Sequence, residues 1–222
     1  MIKVLEILAF VISAAAFGHG ALRLFRKETP QFFRFYVCAA GCYMLEELWV
    51  IVNSLLGSGS QDGLVTVRLF GFFGCLCFLL SAILDIDELV KSEDRPRKIC
   101  VPALAAPVIL LGVYAVYAFS EANQEAPVAV VIGLAAISPA LVSSYCSARH
   151  LRNAVFSTEL SKTVKAVEVV TMLFYLANYT YPFMNLYCPG LLMSVYDGIL
   201  AVVLLGIILL CERGAKQWKT CI

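Results

Sequence analysis

Seven apolar stretches of roughly 20 residues run along the chain, separated by short polar gaps. They extend from Ile2 to Phe25, Phe32 to Leu56, Leu64 to Val90, Ile99 to Phe119, Pro127 to Leu151, Thr163 to Met184 and Gly190 to Cys211. At a helical rise of 1.5 Å per residue, each is long enough to cross about 30 Å of hydrocarbon. A helix is the conformation that pairs its own backbone there, and the alternating strands of about ten residues that mark an outer-membrane barrel are not seen. The pattern predicts an all-α fold: a polytopic, seven-transmembrane-helix bundle, one domain over residues 1–222.

Charge placement orients it. Fifteen of the seventeen Lys and Arg residues fall in alternate gaps and in the tail. The first gap region carries Arg23, Arg26, Lys27 and Arg34; the third Lys91, Arg95, Arg97 and Lys98; the fifth Arg149, Arg152, Lys162 and Lys165; the tail Arg213, Lys216 and Lys219. The opposite loops, Gly57 to Gly63, Ser120 to Ala126 and Asn185 to Pro189, have no Lys or Arg. Short cytoplasmic loops keep basic residues, so the expected orientation is amino terminus outside and carboxyl terminus inside, in the plasma (cytoplasmic) membrane. Aromatic residues fit that frame as interfacial anchors: Phe32, Phe33, Phe35 and Tyr36 at an inner edge, Tyr179, Tyr181 and Tyr187 at an outer edge, Trp218 in the tail.

Composition agrees with a membrane protein and removes several functions. The chain is 61% hydrophobic and 15% charged, against about 45–50% and about 25% for soluble domains. A net charge of +1 offers nothing to nucleic acid, which is not an expected partner; the lipid bilayer is. Lys3 precedes an apolar run reaching Phe25, longer than the core of a cleavable signal, so the first segment is expected to stay as a membrane helix. No separate soluble domain is expected. Of nine cysteines, Cys188 alone falls in an outer loop, which argues against a disulfide framework. Cys38 with Cys42, and Cys75 with Cys77, read as small apolar fillers, and no metal or cofactor is expected.

Polar residues at membrane depth are the best chemical clue, because they are costly there and face a bundle interior or a wet cavity. Counted from the outer surface, Arg68 lies about one turn into the third segment, Asp197 about two turns into the seventh, and Asn178 about two turns down the sixth. Glu46 and Glu47 lie two to three turns down the second, so four helices bring polar groups to one outer-half layer. Arg68 is expected to pair with one of Glu46, Glu47 and Asp197, which offsets the desolvation of both partners. Two readings stand beside each other: ion pairs that fix helix packing, or an outward-facing pocket for a small polar ligand, completed by Tyr175, Tyr179 and Tyr196. A second group lies near the inner surface: His19, Arg23, Asp85, Asp87, Glu88 and Glu168. His19 sits in Gly18-His19-Gly20, where small neighbours admit another helix closely, and reads as an interhelical hydrogen-bonding residue.

Pro102 and Pro107 in the fourth segment, Pro139 in the fifth and Pro182 in the sixth mark candidate kinks, and Gly71 with Gly74 a close-approach face. Segments one to three and five to seven share an orientation, with the fourth as an inverting connector, a weak 3+1+3 pseudo-repeat. Among familiar seven-helix families, the last segment has neither a retinal-binding lysine nor an Asn-Pro-x-x-Tyr; the proline pattern of small 3+1+3 sugar transporters is half met, by Pro139 in the fifth segment with none in the first; seven-helix input regions of bacterial sensors are compatible by topology alone. No HExxH or GxSxG occurs, so catalysis is not expected. The functional expectation is receptor- or sensor-like binding of a small polar ligand, with signalling to a cytoplasmic or membrane partner through the Arg149 to Lys165 region. The alternative is a small-solute transporter alternating access across the 3+1+3 bundle.

Overall fold

The structure, a computed structural model, describes residues 2–56, 61–89, 101–118, 127–153, 159–187 and 190–221. Among them the regular elements are seven α-helices and one short 3-10 turn. The helices are α1 (Ile2–Leu24), α2 (Gln31–Leu56), α3 (Gln61–Leu89), α4 (Ala105–Ala118), α5 (Pro127–Asn153), α6 (Glu159–Tyr187) and α7 (Leu191–Cys221). The described parts of three helices, Val4–Leu24, Gln31–Leu55 and Leu191–Trp218, are long and apolar enough to cross a membrane. Leu69–Leu84 and Val101–Val116 are shorter apolar stretches.

Two elements depart from the hydropathy reading for local reasons. The fourth segment opens as a 3-10 turn over Val101–Leu104, and its α-helix starts only at Ala105. Pro107 then falls in the first turn of α4, where a missing N–H leaves no intrahelical bond unmade, so neither it nor Pro102 interrupts an α-helix. The last helix runs ten residues past Cys211, to Cys221. No proline stops it, Lys216 Nζ meets Glu212 Oε1 at 2.8 Å one turn apart, and the Trp218 ring stands edge-on to Phe32 at 6.2 Å.

The helices form a closed circuit. α1 packs on α2 and α7, α2 on α3, α3 on α5, α5 on α6, and α6 on α7; α2 also reaches α7. Among the described residues α4 packs on α5, on α6 and, through its leading turn, on α5 again. The outward surface is aliphatic: α1 presents Val4, Ile7, Leu8 and Val11, and α7 presents Leu192, Val195, Ile199 and Val202, spaced three or four apart as one helix face requires. Ser13, Ser81, Ser143, Ser147, Glu168 and Thr171 point inward and are buried. That inversion of the soluble pattern suits a surface covered by hydrocarbon.

Aromatic rings fill the middle. Phe78 of α3 stands 5.4 Å from Tyr36, 6.0 Å from Tyr43, 5.8 Å from Phe174 and 5.6 Å from Tyr175, joining α2, α3 and α6. Tyr43 fits only because Gly74 faces it: a Cβ at Gly74 would stand 2.8 Å from the Tyr43 ring. Phe32, Phe33 and Tyr36 belong to this core, at 1%, 0% and 4% exposure, and do not serve as interfacial anchors. The extra length of α7 covers the first two, Trp218 against Phe32 and Gly214 against Phe33, while Tyr36 packs on Phe78 of α3.

Side chains satisfy the backbone where helices end or break. Arg34 Nη2 donates to the carbonyls of Arg26, Lys27 and Thr29 at 2.6, 3.0 and 2.8 Å, tying the α1–α2 connection to α2. In α5, Pro139 has no N–H for the carbonyl of Ala135, and Ser138 Oγ donates to that oxygen at 3.1 Å. Gly190, at φ +91°, precedes α7 in a conformation that favours glycine, and its carbonyl accepts from Met193 and Ser194.

Candidate functional site: a polar cavity between five helices

A cavity of about 90 Å³ opens between α1, α2, α3, α6 and α7. Its polar lining is Ser13, Tyr43, Glu46, Glu47, Asn178 and Asp197; Val50, Val67, Phe174, Leu200, Ala201 and Leu204 supply the apolar walls. One water needs about 10–15 Å³ on the same measure, so there is room for several waters or one small solute.

Helical periodicity explains the convergence. Tyr43, Glu46, Glu47 and Val50 lie three or four apart on α2, Phe174 and Asn178 on α6, and Asp197, Leu200, Ala201 and Leu204 on α7, so each helix turns one continuous stripe to the space. Glu46 leans on α3, where its Oε2 lies 3.6 Å from the position a Cβ would take on Gly71. That contact directs its carboxylate differently from its neighbour Glu47, since successive helical residues point about 100° apart. Three carboxyl groups, one amide, two hydroxyls and several aliphatic walls can hold a small polar molecule by hydrogen bonds and shape.

Of the residues singled out by depth, Glu46, Glu47, Asn178 and Asp197 line this one space. The backbones of Arg68 and Asp85 fall within α3, but their side chains lie outside the described residues. Tyr179 turns to α3, its hydroxyl 3.6 Å from Cys75 Sγ, and its ring stands edge-on to Tyr114 at 5.9 Å. Tyr196 donates to the Ala177 carbonyl at 2.9 Å and meets Thr180 Oγ1 at 2.8 Å, tying α7 to α6. Neither tyrosine is among the residues lining the cavity.

The inner group is divided between two places. His19 Nε2 lies 2.7 Å from Glu212 Oε2, joining α1 to the extension of α7, while Glu168 is buried on α6 near Cys146 of α5. Depth and charge alone single out neither Ser13 and Tyr43 for the cavity nor Glu212 as the partner of His19. A serine or tyrosine in an apolar helix looks like filler or core, and Glu212 falls just past the last apolar span; only the i, i+3 step from Tyr43 to Glu46 marks the former.

No protein-family model matches the chain, and no curated protein or solved structure is detectably similar to it.

Proposed function

We propose that the chain is a seven-span integral membrane protein, amino terminus outside, whose outer-half cavity binds a small polar ligand in the manner of a receptor or sensor. The observation that carries this reading is the cavity itself: polar groups from four helices meet around a space sized for a small solute. Phe174, Leu200 and Leu204 bound that space on the side of the bundle middle, which favours a binding pocket over an open channel. A ligand contacting α2, α6 and α7 together would bias how those helices pack, and the basic Arg149 to Lys165 region is the surface offered to a cytoplasmic or membrane partner.

Thermal-shift screening of the purified chain against amino acids, sugars, amines and lipid headgroups tests the ligand. One class should raise the melting temperature of the wild type and have no effect on Asp197→Asn; no stabilisation by any class refutes the pocket. Uptake into reconstituted vesicles separates this reading from the 3+1+3 transporter, since a receptor moves no solute. Membrane-impermeant thiol reagents test the topology: Cys188 should label from outside and Cys221 only after permeabilisation.

A further inference from the structure

The bundle interior stays polar beneath the cavity. The Tyr43 hydroxyl, on the cavity wall, lies 3.7 Å from Cys75 Sγ, and that sulfur lies 3.6 Å from the Tyr179 hydroxyl. Tyr175, one turn further along α6, is fully buried, and its hydroxyl lies beside that of Ser143 on α5. Ser147, one turn on along α5, and Thr171 and Glu168, one and two turns back along α6, are buried as well. Glu168, Thr171, Tyr175 and Asn178 follow one another at i, i+3, i+7 and i+10, so they share a face of α6. At 1.5 Å per residue that stripe covers about 15 Å between the cavity and the inner acid.

Packing alone does not account for these residues. Thr171 donates to the Val167 carbonyl and Ser144 to the Leu141 carbonyl, so those hydroxyls are tied to their own helices. Tyr175 Oη and Ser143 Oγ are buried against each other, and the contact is too poorly aligned to satisfy either fully. Phenylalanine and alanine would fill the same places without leaving a polar atom unsatisfied, and buried groups in that state call for a reason.

We propose that this column conducts protons between the outer-half cavity and Glu168 near the inner surface. In each step one O–H or S–H bond breaks on the donor as one forms on the acceptor, and the donor is reprotonated from its cavity side. No electron is transferred and no other bond changes. Gaps longer than one hydrogen bond require bridging water, which needs room and two to four polar partners, admitted as the helices breathe. At the inner end Glu168 is accompanied by Lys165 on its own helix and by Cys146 and Arg149 on α5; α4 carries no charged residue. The inference rests on the membrane-spanning arrangement proposed above but needs no ligand.

The test is proton entry into phosphatidylcholine vesicles holding the purified full chain and a trapped pH dye, driven by a valinomycin-set potassium potential. Wild-type vesicles should acidify at least tenfold faster than protein-free ones. Tyr175→Phe and Glu168→Gln should each return the rate to the protein-free level, with Tyr175→Phe keeping the wild-type melting temperature. Should Glu168→Gln fail to fold, Ser143→Ala takes its place beside Tyr175→Phe. A wild-type rate equal to that of empty vesicles overturns the proposal, as does a rate within twofold of wild type in both variants. No solute is added, so this result and the ligand screen fail independently.

Discussion

Gly74→Ala inserts one methyl group where the structure leaves no room. The new Cβ would stand 2.8, 3.1 and 3.3 Å from Cε2, Cζ and Cδ2 of Tyr43, inside the 3.5–4.0 Å or so at which carbon atoms attract. The ring cannot retreat, since Phe174 stands against it edge-on at 4.9 Å and Phe78 at 6.0 Å. Overpacking of this kind costs about 1–3 kcal/mol, while alanine in place of glycine within a helix returns about 0.5–1 kcal/mol. The net expectation is a loss of up to about 2.5 kcal/mol, or a melting temperature lower by up to about 10 °C for a chain of this length. Gly112 and Gly206 have nothing within 4 Å of the place a Cβ would take, so alanine there should raise the melting temperature by about 1–4 °C. Thermal unfolding in detergent measures all three, and a double-mutant cycle isolates the clash. In a Tyr43→Ala background, Gly74→Ala should be neutral or stabilising. Equal losses in both backgrounds, or a gain at Gly74 matching that at Gly112, would refute the close approach of α3 to Tyr43.

Three further outcomes follow from the hydrogen bonds. Arg34→Lys keeps the charge but loses a donor that serves three carbonyls, at a cost of about 1–2 kcal/mol; tryptic cleavage after Arg26 and Lys27 should accelerate by about tenfold with a smaller change in melting temperature. Ser138→Ala strips the Ala135 carbonyl of its hydroxyl partner and should cost about 1 kcal/mol in thermal unfolding, yet be neutral in a Pro139→Ala background, where the helix supplies the missing N–H. Glu212→Gln should weaken the α1–α7 contact by about 1 kcal/mol and reduce the salt dependence of stability, because the pair is partly open to solvent; an unchanged salt profile would show that His19 and Glu212 contribute nothing to it.

Hydropathy made the helices legible because each holds an apolar run flanked by polar residues. It read their ends less well where apolarity was not what decided them. α7 outlasts its apolar run because His19 with Glu212 and Phe32 with Trp218 hold the extra turns, and interactions that distant in sequence leave no local trace. The same extension buries Phe32 and Phe33, whose position in the chain resembles a membrane-edge belt. Within the candidate site, counting turns from the helix ends was enough to relate Glu46, Glu47, Asn178 and Asp197, since position along a helix depends only on the helical rise. Rotation about the helix axis depends on packing, and so Tyr179 and Tyr196, although at suitable depth, point to Cys75 and Ala177. Tyr43 and Ser13 were hidden for the opposite reason: their chemistry is ambiguous until a cavity lies beside them.

Phe78 bears on how the cavity can change size. A flat ring packed against Tyr36, Tyr43, Phe174 and Tyr175 is hemmed in by four other rings, and a close-packed core of this kind yields poorly to local rearrangement. Tyr43 and Phe174 are at once neighbours of that ring and walls of the cavity. The space therefore swells or shrinks by shifts of whole helices, with α2, α3 and α6 moving as mechanically coupled rods, and a solute too large for it is resisted by the stiffness of the entire bundle.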